Sequence, residues 1–559
     1  MKRVFGVEKF RGLLLASSFA VVANYVVRLS DAVIAGNLIG ADALAGVNLA
    51  GPVLSVITFT AGLIAIGVGT RYSLAMGACD KTRAHRFFMQ GVWSVLLLGG
   101  VLAMSILFGR EAFLGFLGAT GAAAGCARDY LAWIWPVAWL EGFVTLLVTL
   151  AYADGDTKLA VTAYGTLFVG NVVSSAVAVK LGHGCEGCAF GSVVAEVLAI
   201  GVLAAHFFRR TNSMRFVRHF SLRDTLSICC ASFGDAAAQL CESLLFLFIN
   251  AFALRSFGER ILPVVGVVSS LWGLLIVFDG LGSAIQPIVT VYYGERNYKA
   301  IRTVMKSAMG LAFWGGALFS LFVVAFPGLV VRLVGITDAA LVSQSVVAVR
   351  LISVGFVAMA FACVFNSYYM FVEKPFLSGA VTFLGYLVLP VALIAAFSLI
   401  GPNGIWLGLG LGPACGLVCA AAIICPITGR SMFPLLLPRD EEEKLHVFNL
   451  ELTDDEITEV SRRIGSIPGV PMKAALLTEE VFEVVKDRNA SRRILGEVTV
   501  DLRNRVTLTL RDDGEIFDIT DADARISSLR SFLVASMMEN HAGKLNLVTT
   551  GFNRNVFRF

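Results

Sequence analysis

Apolar residues in this chain come in long unbroken runs, not in the alternating or three-and-four spacing of soluble elements. Twelve runs approach the roughly 20 residues that an α-helix needs to cross a bilayer. They are Phe10 to Leu38, Leu44 to Gly69, Val92 to Phe108, Leu131 to Tyr152, Leu159 to Val179, Ala189 to Phe207, Leu226 to Leu254, Leu262 to Val289, Ala308 to Val331, Leu351 to Val372, Phe376 to Ile400 and Gly404 to Ile427. Hydrocarbon offers no water to backbone amides, so each run is predicted to be a helix. The first run lacks a small-residue cleavage site and a short apolar core, and reads as a retained helix rather than a signal peptide.

Composition agrees with the pattern. Of 559 residues 57% are hydrophobic and 15% charged, and 55 are glycine, a residue commoner in membrane helices than in soluble ones. A net charge of +4 spread over short loops bears on topology and gives no sign of a nucleic-acid partner. Basic residues gather in alternate loops, around Lys2 to Arg11, Arg71 to Arg86, Lys158, Arg209 to Arg223, Arg296 to Lys306 and Lys374. The positive-inside rule then predicts a multi-pass protein of the cell (inner) membrane with both termini in the cytoplasm.

The runs divide into two sets of six. Gly77-Ala-Cys-Asp80-Lys81 is echoed by Gly294-Glu-Arg-Asn297-Tyr-Lys299, and Lys158 by Lys374, 216 residues on. Gly184-Cys-Glu-Gly187 is echoed by Gly401-Pro-Asn-Gly404 at an offset of 217. A duplication with an even number of spans gives parallel repeats about an axis along the membrane normal, with a cavity between them. The expected domains are residues 1–220 and 221–438, followed by a third at 439–559.

Acids inside the runs are expensive and are candidates for function. Asp31 comes first; Arg28, one helical turn earlier, leaves open a purely structural ion pair. Glu141 and Asp279 either line a path or pack at helix ends, and Gln286-Pro287 points to a kinked helix. Most of the 11 cysteines sit inside runs. Cys185 and Cys188, in an outward loop beside His183, are either a disulfide or two free thiols, and the loop lacks the ligands for a metal.

Asp31-Ala-Val-Ile-Ala-Gly36-Asn-Leu-Ile-Gly40, with Ala43 to Pro52 after it, resembles the first-helix signature of the multidrug and toxic compound extrusion (MATE) transporters. Gly282 to Pro287 with Tyr293 to Asn297, and Gly155-Asp-Thr-Lys158, resemble further segments of that family, the likeness covering residues 10 to 430. The resemblance implies no enzyme and no cofactor. It implies a transporter that exports cationic or amphipathic organic compounds against an inward flow of protons or sodium ions. Asp31 matches the family's first-helix acid and Glu242 its seventh-helix acid, with Asp235 two turns before Glu242 on the same face. Asn171 is kept, while Ser174 and Ser175 stand where an acid often follows it; Asn366, Tyr368 and Tyr369 replace a tenth-span acid. Asn171, Gln286, Asn366 and Tyr369 are the expected cavity residues.

After Pro438 the sequence turns soluble. A charged linker, Arg439 to Lys444, precedes a capping box at Thr453-Asp-Asp-Glu456. A helix from about Ala474 to Asn489 follows, then a hairpin of Glu497 to Leu502 with Val506 to Arg511, a helix near Asp523 to His541 and a strand pair near Leu545 to Phe559. The expected fold class is thus an all-α polytopic membrane protein of twelve helices followed by a small cytoplasmic α/β sandwich. The last domain resembles the histidine-kinase-like ATPases of bacterial anti-sigma kinases, with Glu480 matching the catalytic glutamate and Asp512-Asp513-Gly514 the adenine loop. Val484 stands at the magnesium-binding asparagine, and Ser528 to Ser531 replace the phosphate-wrapping glycines. Residues 439–559 are therefore expected to be a nucleotide site in relic, open to a cytoplasmic regulatory protein. Two other functions fit the same features: a membrane-anchored signalling protein with a transporter-like sensor, and a lipid-linked precursor flippase.

Overall fold

The computed structural model describes residues 3–116, 121–209, 212–258, 261–333, 339–428, 433–438, 443–515, 541–545 and 552–559. The expected helix at 523–541, apart from its last residue, and the turn at Ser528 to Ser531 lie outside them. Up to residue 428 the described chain is almost entirely helical. Nine helical stretches among the described residues are long and apolar enough to cross a membrane, or up to eleven if two bent pairs each count as one. Large apolar side chains such as Leu15, Phe108, Trp314 and Leu318 stand exposed on their outer faces, which suits a hydrocarbon solvent.

The helices that build the site are α1 (Phe5–Leu38), α2 (Gly51–Gly77), α3 (Gly121–Ile134), α4 (Val137–Ala153), α5 (Thr157–Ala178), α6 (Gly184–Ala204), α7 (Leu222–Phe257), α8 (Asp279–Gly294), α9 (Tyr298–Ala325), α10 (Phe356–Phe371) and α11 (Pro375–Phe383). The fourth apolar run is not one straight helix, since α3 and α4 meet at 55° across Trp135-Pro136, where proline supplies no amide for the helical ladder. The tenth is bent by 47° before Phe356; there a Cβ on Gly355 would lie 2.0 Å from the Gly410 carbonyl oxygen. Helix α8 continues through Pro287, and the departure from α-geometry comes earlier, in a 3-10 stretch from Leu274 to Phe278.

Between α5 and α6 the chain reverses within a few residues. Gly182 and Gly184 take φ of 96° and 53°, a region that a Cβ disfavours. The expected loop at Cys185 is thus the first turn of α6, and Cys185 forms its disulfide with Cys126 of α3, Cα atoms 5.5 Å apart. This corrects the sequence reading of Cys185 and Cys188. The two sit in one helical turn and point to different neighbours, Cys188 being buried as a free thiol.

Helices α2 and α8 cross backbone to backbone at one face of the molecule. A Cβ on Gly77 would lie 2.6 Å from the Val291 carbonyl oxygen, and one on Gly294 would lie 2.5 Å from that of Leu74. Gly294 follows Gly77 by 217 residues and Val291 follows Leu74 by the same number, so each contact is the image of the other. The residues next in line, Cys79 and Arg296, both take positive φ, at 63° and 59°.

The C-terminal domain is a five-stranded antiparallel sheet in the order β1-β2-β3-β5-β4, with β1 Leu445–Glu451, β2 Leu495–Asp501, β3 Thr507–Asp512, β4 His541–Leu545 and β5 Asn553–Arg558. Helices α12 (Asp454–Gly465) and α13 (Met472–Arg488) cover one side, where Val498, Val500, Leu508, Leu510 and Phe482 form the core. Thr453 caps α12 as expected, accepting from the Glu456 amide. The Glu456 carboxylate accepts from the Glu451 amide rather than from Thr453, so the box closes two residues further back. Strand β1 was not expected. It follows directly on a charged run that masks its short apolar pattern, and it is held by seven residue pairs with β2.

Candidate functional site

Asp31 is 3% exposed and lies at the meeting of four helices. The hydroxyls of Tyr130 (α3) and Ser192 (α6) each donate to its Oδ2 at 2.8 Å, and the Asn171 amide (α5) donates to Oδ1 at 3.1 Å. Asn171 also donates to Ser192 at 2.8 Å, and Ser30 donates to the Asn171 side-chain carbonyl. Four buried polar side chains, all neutral, thus gather around one carboxyl group. No ion pair among the described side chains involves Asp31; the Arg28 side chain lies outside the described residues. Ionising an acid at membrane depth costs about 2.5 kcal/mol or more, which neutral donors offset only in part. Ser192 carried no sequence signal beyond being a polar residue in an apolar run, and Tyr130, one residue ahead of the fourth run, carried none.

A second polar cluster lies in α7, α10 and α11. Asn366 donates to Asp235 Oδ1 at 2.7 Å, Ser367 donates to the same oxygen at 3.2 Å, and Ser378 and Thr382 donate to Asn366 Oδ1 at 2.6 and 2.9 Å. Here Asp235, and not Glu242, joins Asn366. Glu242 lies two turns along α7, half-buried. Tyr369 is also elsewhere: its hydroxyl donates to the Pro434 carbonyl at 3.0 Å, beside the Tyr368 bond to Leu435 at 2.7 Å. The tyrosine pair thus fixes the segment that follows the last membrane helix. No residue pattern signals that the chain after residue 432 folds back to α10.

Gln286 and Pro287 line a cavity of about 170 Å³ together with Ser17, Ser73, Thr149 and Tyr152, from α1, α2, α4 and α8. Asp31 and Asn171 are not among its lining residues. Glu141 accepts a 2.9 Å bond from Thr58, and Asp279 opens α8 as an exposed residue. Around the Gly155 turn, Asp154 and Asp156 both bond His206, at 3.1 and 3.0 Å, and Arg209 reaches Asp156 at 2.5 Å. Burial alone would raise the Asp156 carboxyl, yet His206 and Arg209 hold it below the usual carboxylate range. Among the described residues, no three His, Cys, Asp or Glu side chains are placed to hold a metal ion.

In the C-terminal domain Asp512 accepts from the Asn553 amide at 2.8 Å and from the Gly514 backbone at 3.1 Å. Burial pushes its carboxyl up to about 7. Glu480 stands half-buried on α13, and Val484, where the magnesium-binding asparagine was expected, is buried one turn later.

The profile of the MatE family matches residues 16–177 and 236–395, together more than half of the chain. The chain belongs to the MatE family of membrane transporters, which are not enzymes and need no cofactor. Among solved structures, an outward-facing multidrug resistance MATE transporter of the MOP superfamily is 22% identical, with a TM-score of 0.68 over 76% of this chain and 98% of that one. A MATE solved in complex with MaD5 is 23% identical at a TM-score of 0.67, again over 76% and 98%. A MOP superfamily transporter from Pyrococcus furiosus, in which the reverse polarity of the binding pocket suggests a different function, is 22% identical at a TM-score of 0.67 over 76% and 98%. These likenesses concern the fold. No curated protein sequence matches the chain.

Proposed function

We propose that this transporter is a secondary active antiporter that exports cationic or amphipathic organic compounds in exchange for protons or sodium ions. The observation that carries the reading is Asp31, buried among Tyr130, Asn171 and Ser192 with neutral donors and no cation at hand among the described side chains. Burial favours the protonated form of a carboxyl group, and a nearby cation favours the ionised form. A change in access to such a group therefore lets it load an ion on one side and release it on the other. Asp235 with Asn366 is a second such group in the other half of the chain.

Counting the reversal at Gly182 as a turn between two spans, we read twelve helices in halves 1–220 and 221–438, each with its own match to the family. The reciprocal Gly77 and Gly294 contacts support an axis between the halves along the membrane normal. The basic loops support cytoplasmic termini and a cell (inner) membrane location. For residues 439–559 we read a histidine-kinase-like fold whose nucleotide site is eroded at Val484. Membrane vesicles with an imposed proton or sodium gradient and a fluorescent cationic dye test the reading. Dye moves with the gradient in vesicles holding the protein; equal movement in vesicles without it overturns the proposal.

A further inference from the structure

The sheet side that faces away from α12 and α13 carries a row of buried charges. Glu497 on β2 lies opposite Arg511 on β3, which lies opposite Arg554 on β5. The fourth member comes from the membrane part of the chain: Glu295, the first residue after α8, pairs with Arg511 and, at 2.6 Å, with Arg554. Arg511 also meets Glu497 at 2.5 Å. Tyr292 of α8 donates to Glu497 at 3.0 Å, with its ring 4.9 Å from the Arg511 guanidinium. Two acids and two arginines balance one another out of solvent, a pattern that holds only while every partner is present.

Arg554 reaches further. Its Nη2 donates to the Gly77 carbonyl at 2.9 Å and its Nη1 to that of Met76 at 3.3 Å. A helix C-terminus presents unpaired carbonyls and the negative end of its dipole, so a cation is the right partner for it. One side chain of the C-terminal domain therefore holds the end of α2 directly and the end of α8 through Glu295, at the point where Gly77 and Gly294 cross. Asn297 donates to Thr499 at 3.3 Å, Lys9 pairs with Asp513 at 3.0 Å, and Asn449 accepts from the Phe5 amide at 2.8 Å. The bound elements come from both halves.

We infer that the sheet of β1 to β5 is the transporter's own inhibitory partner, a clamp that holds α2 against α8 at this face and must let go before the halves part. The inference rests on the proposed transport cycle for its consequence, though not for its contact. Parting the halves here removes the Gly77–Gly294 crossing, and Arg554 spans that crossing.

Hydrogen exchange by mass spectrometry on the purified full chain, without substrate, separates the clamp from the transport reading. In the native protein residues 74–80 and 291–297 are expected to exchange slowly. Glu295→Gln, a change in one half, is expected to speed exchange at 74–80 in the other half by about tenfold, the factor for losing a bond to a charged group. Arg554→Ala should do the same at both helix ends, and Arg554→Lys should fall between. Loss of protection in β2 and β3 with both helix ends unchanged makes the domain a passenger and overturns the clamp; so does no change in any variant. If Glu295→Gln unfolds the protein, Asp513→Asn at the rim is read by the same two outcomes. Faster exchange at 74–80 in the variants, together with no gradient-driven dye movement in vesicles of either the native protein or the released variants, keeps the clamp and removes the transport reading. Where native vesicles move dye, the released variants move it faster.

Discussion

Replacing Asp31 by asparagine removes an ionisable group and little else. The new side chain keeps a carbonyl to accept from Asn171 and turns its amide toward Tyr130 and Ser192, whose hydroxyls accept as readily as they donate. Three contacts remain three, and turning the Tyr130 and Ser192 hydroxyl protons away from their former acceptor should cost the fold about 1–3 kcal/mol. Asp31→Ala is different, because it strands three buried donors at about 1–3 kcal/mol each and should express poorly. The expected result for Asp31→Asn is a folded protein, judged by thermal unfolding followed through its seven tryptophans, in which gradient-driven dye export falls to background. Full export by a well-folded Asp31→Asn protein would refute the reasoning and make the acid structural.

Asp235→Asn should lower gradient-driven export more than Glu242→Gln, because Asp235 holds Asn366 and Ser367; the reverse order of effects in the vesicle assay counts against the second site. A non-reduced digest should contain Cys126 linked to Cys185, a bridge across 59 residues that the chain-entropy relation values at about 4 kcal/mol; Cys185→Ser should lower the unfolding temperature, and a Cys185–Cys188 product would contradict the structure. Burial raises Asp512 from 3.8 to about 7, so the folded domain keeps a proton that the unfolded chain gives up. Stability contributed by that group is full below about pH 4 and falls as pH climbs toward 7; Asp512→Asn should flatten unfolding temperature between about pH 4 and 7, and an unchanged slope rejects the assignment. Calorimetry with the full chain should show no micromolar, magnesium-dependent ATP binding, since Val484 supplies no metal ligand, and such a constant would restore the domain as a working nucleotide site.

Long apolar runs determine helices wherever the solvent is hydrocarbon, and that requirement is local, so the membrane part was legible from the residues alone. The same holds for the cap at Thr453 and for the hairpin of β2 and β3, whose alternation of Val498 and Val500 with Glu497 and Thr499 gives each side of the sheet its character. Asp31 and Asn171 could be singled out singly, because a polar group in an apolar run carries its cost in the sequence. Their 3.1 Å bond could not, nor could the hydroxyls of Tyr130 and Ser192, which come from helices separated by tens of residues. For Cys185 the nearest thiol along the chain, Cys188, was the wrong partner, since the right one sits on a neighbouring helix. Tyr369 turned to Pro434 for a similar reason, a contact made by chain that returns after the last membrane helix. The largest gap was Glu295. In sequence it is one acid in a short polar turn, and only the docking of a distant sheet makes it the buried partner of Arg511 and Arg554. Burial of a residue's own segment is written in its neighbours along the chain, whereas pairing of buried charges depends on which surfaces meet, and the tertiary fold alone decides that.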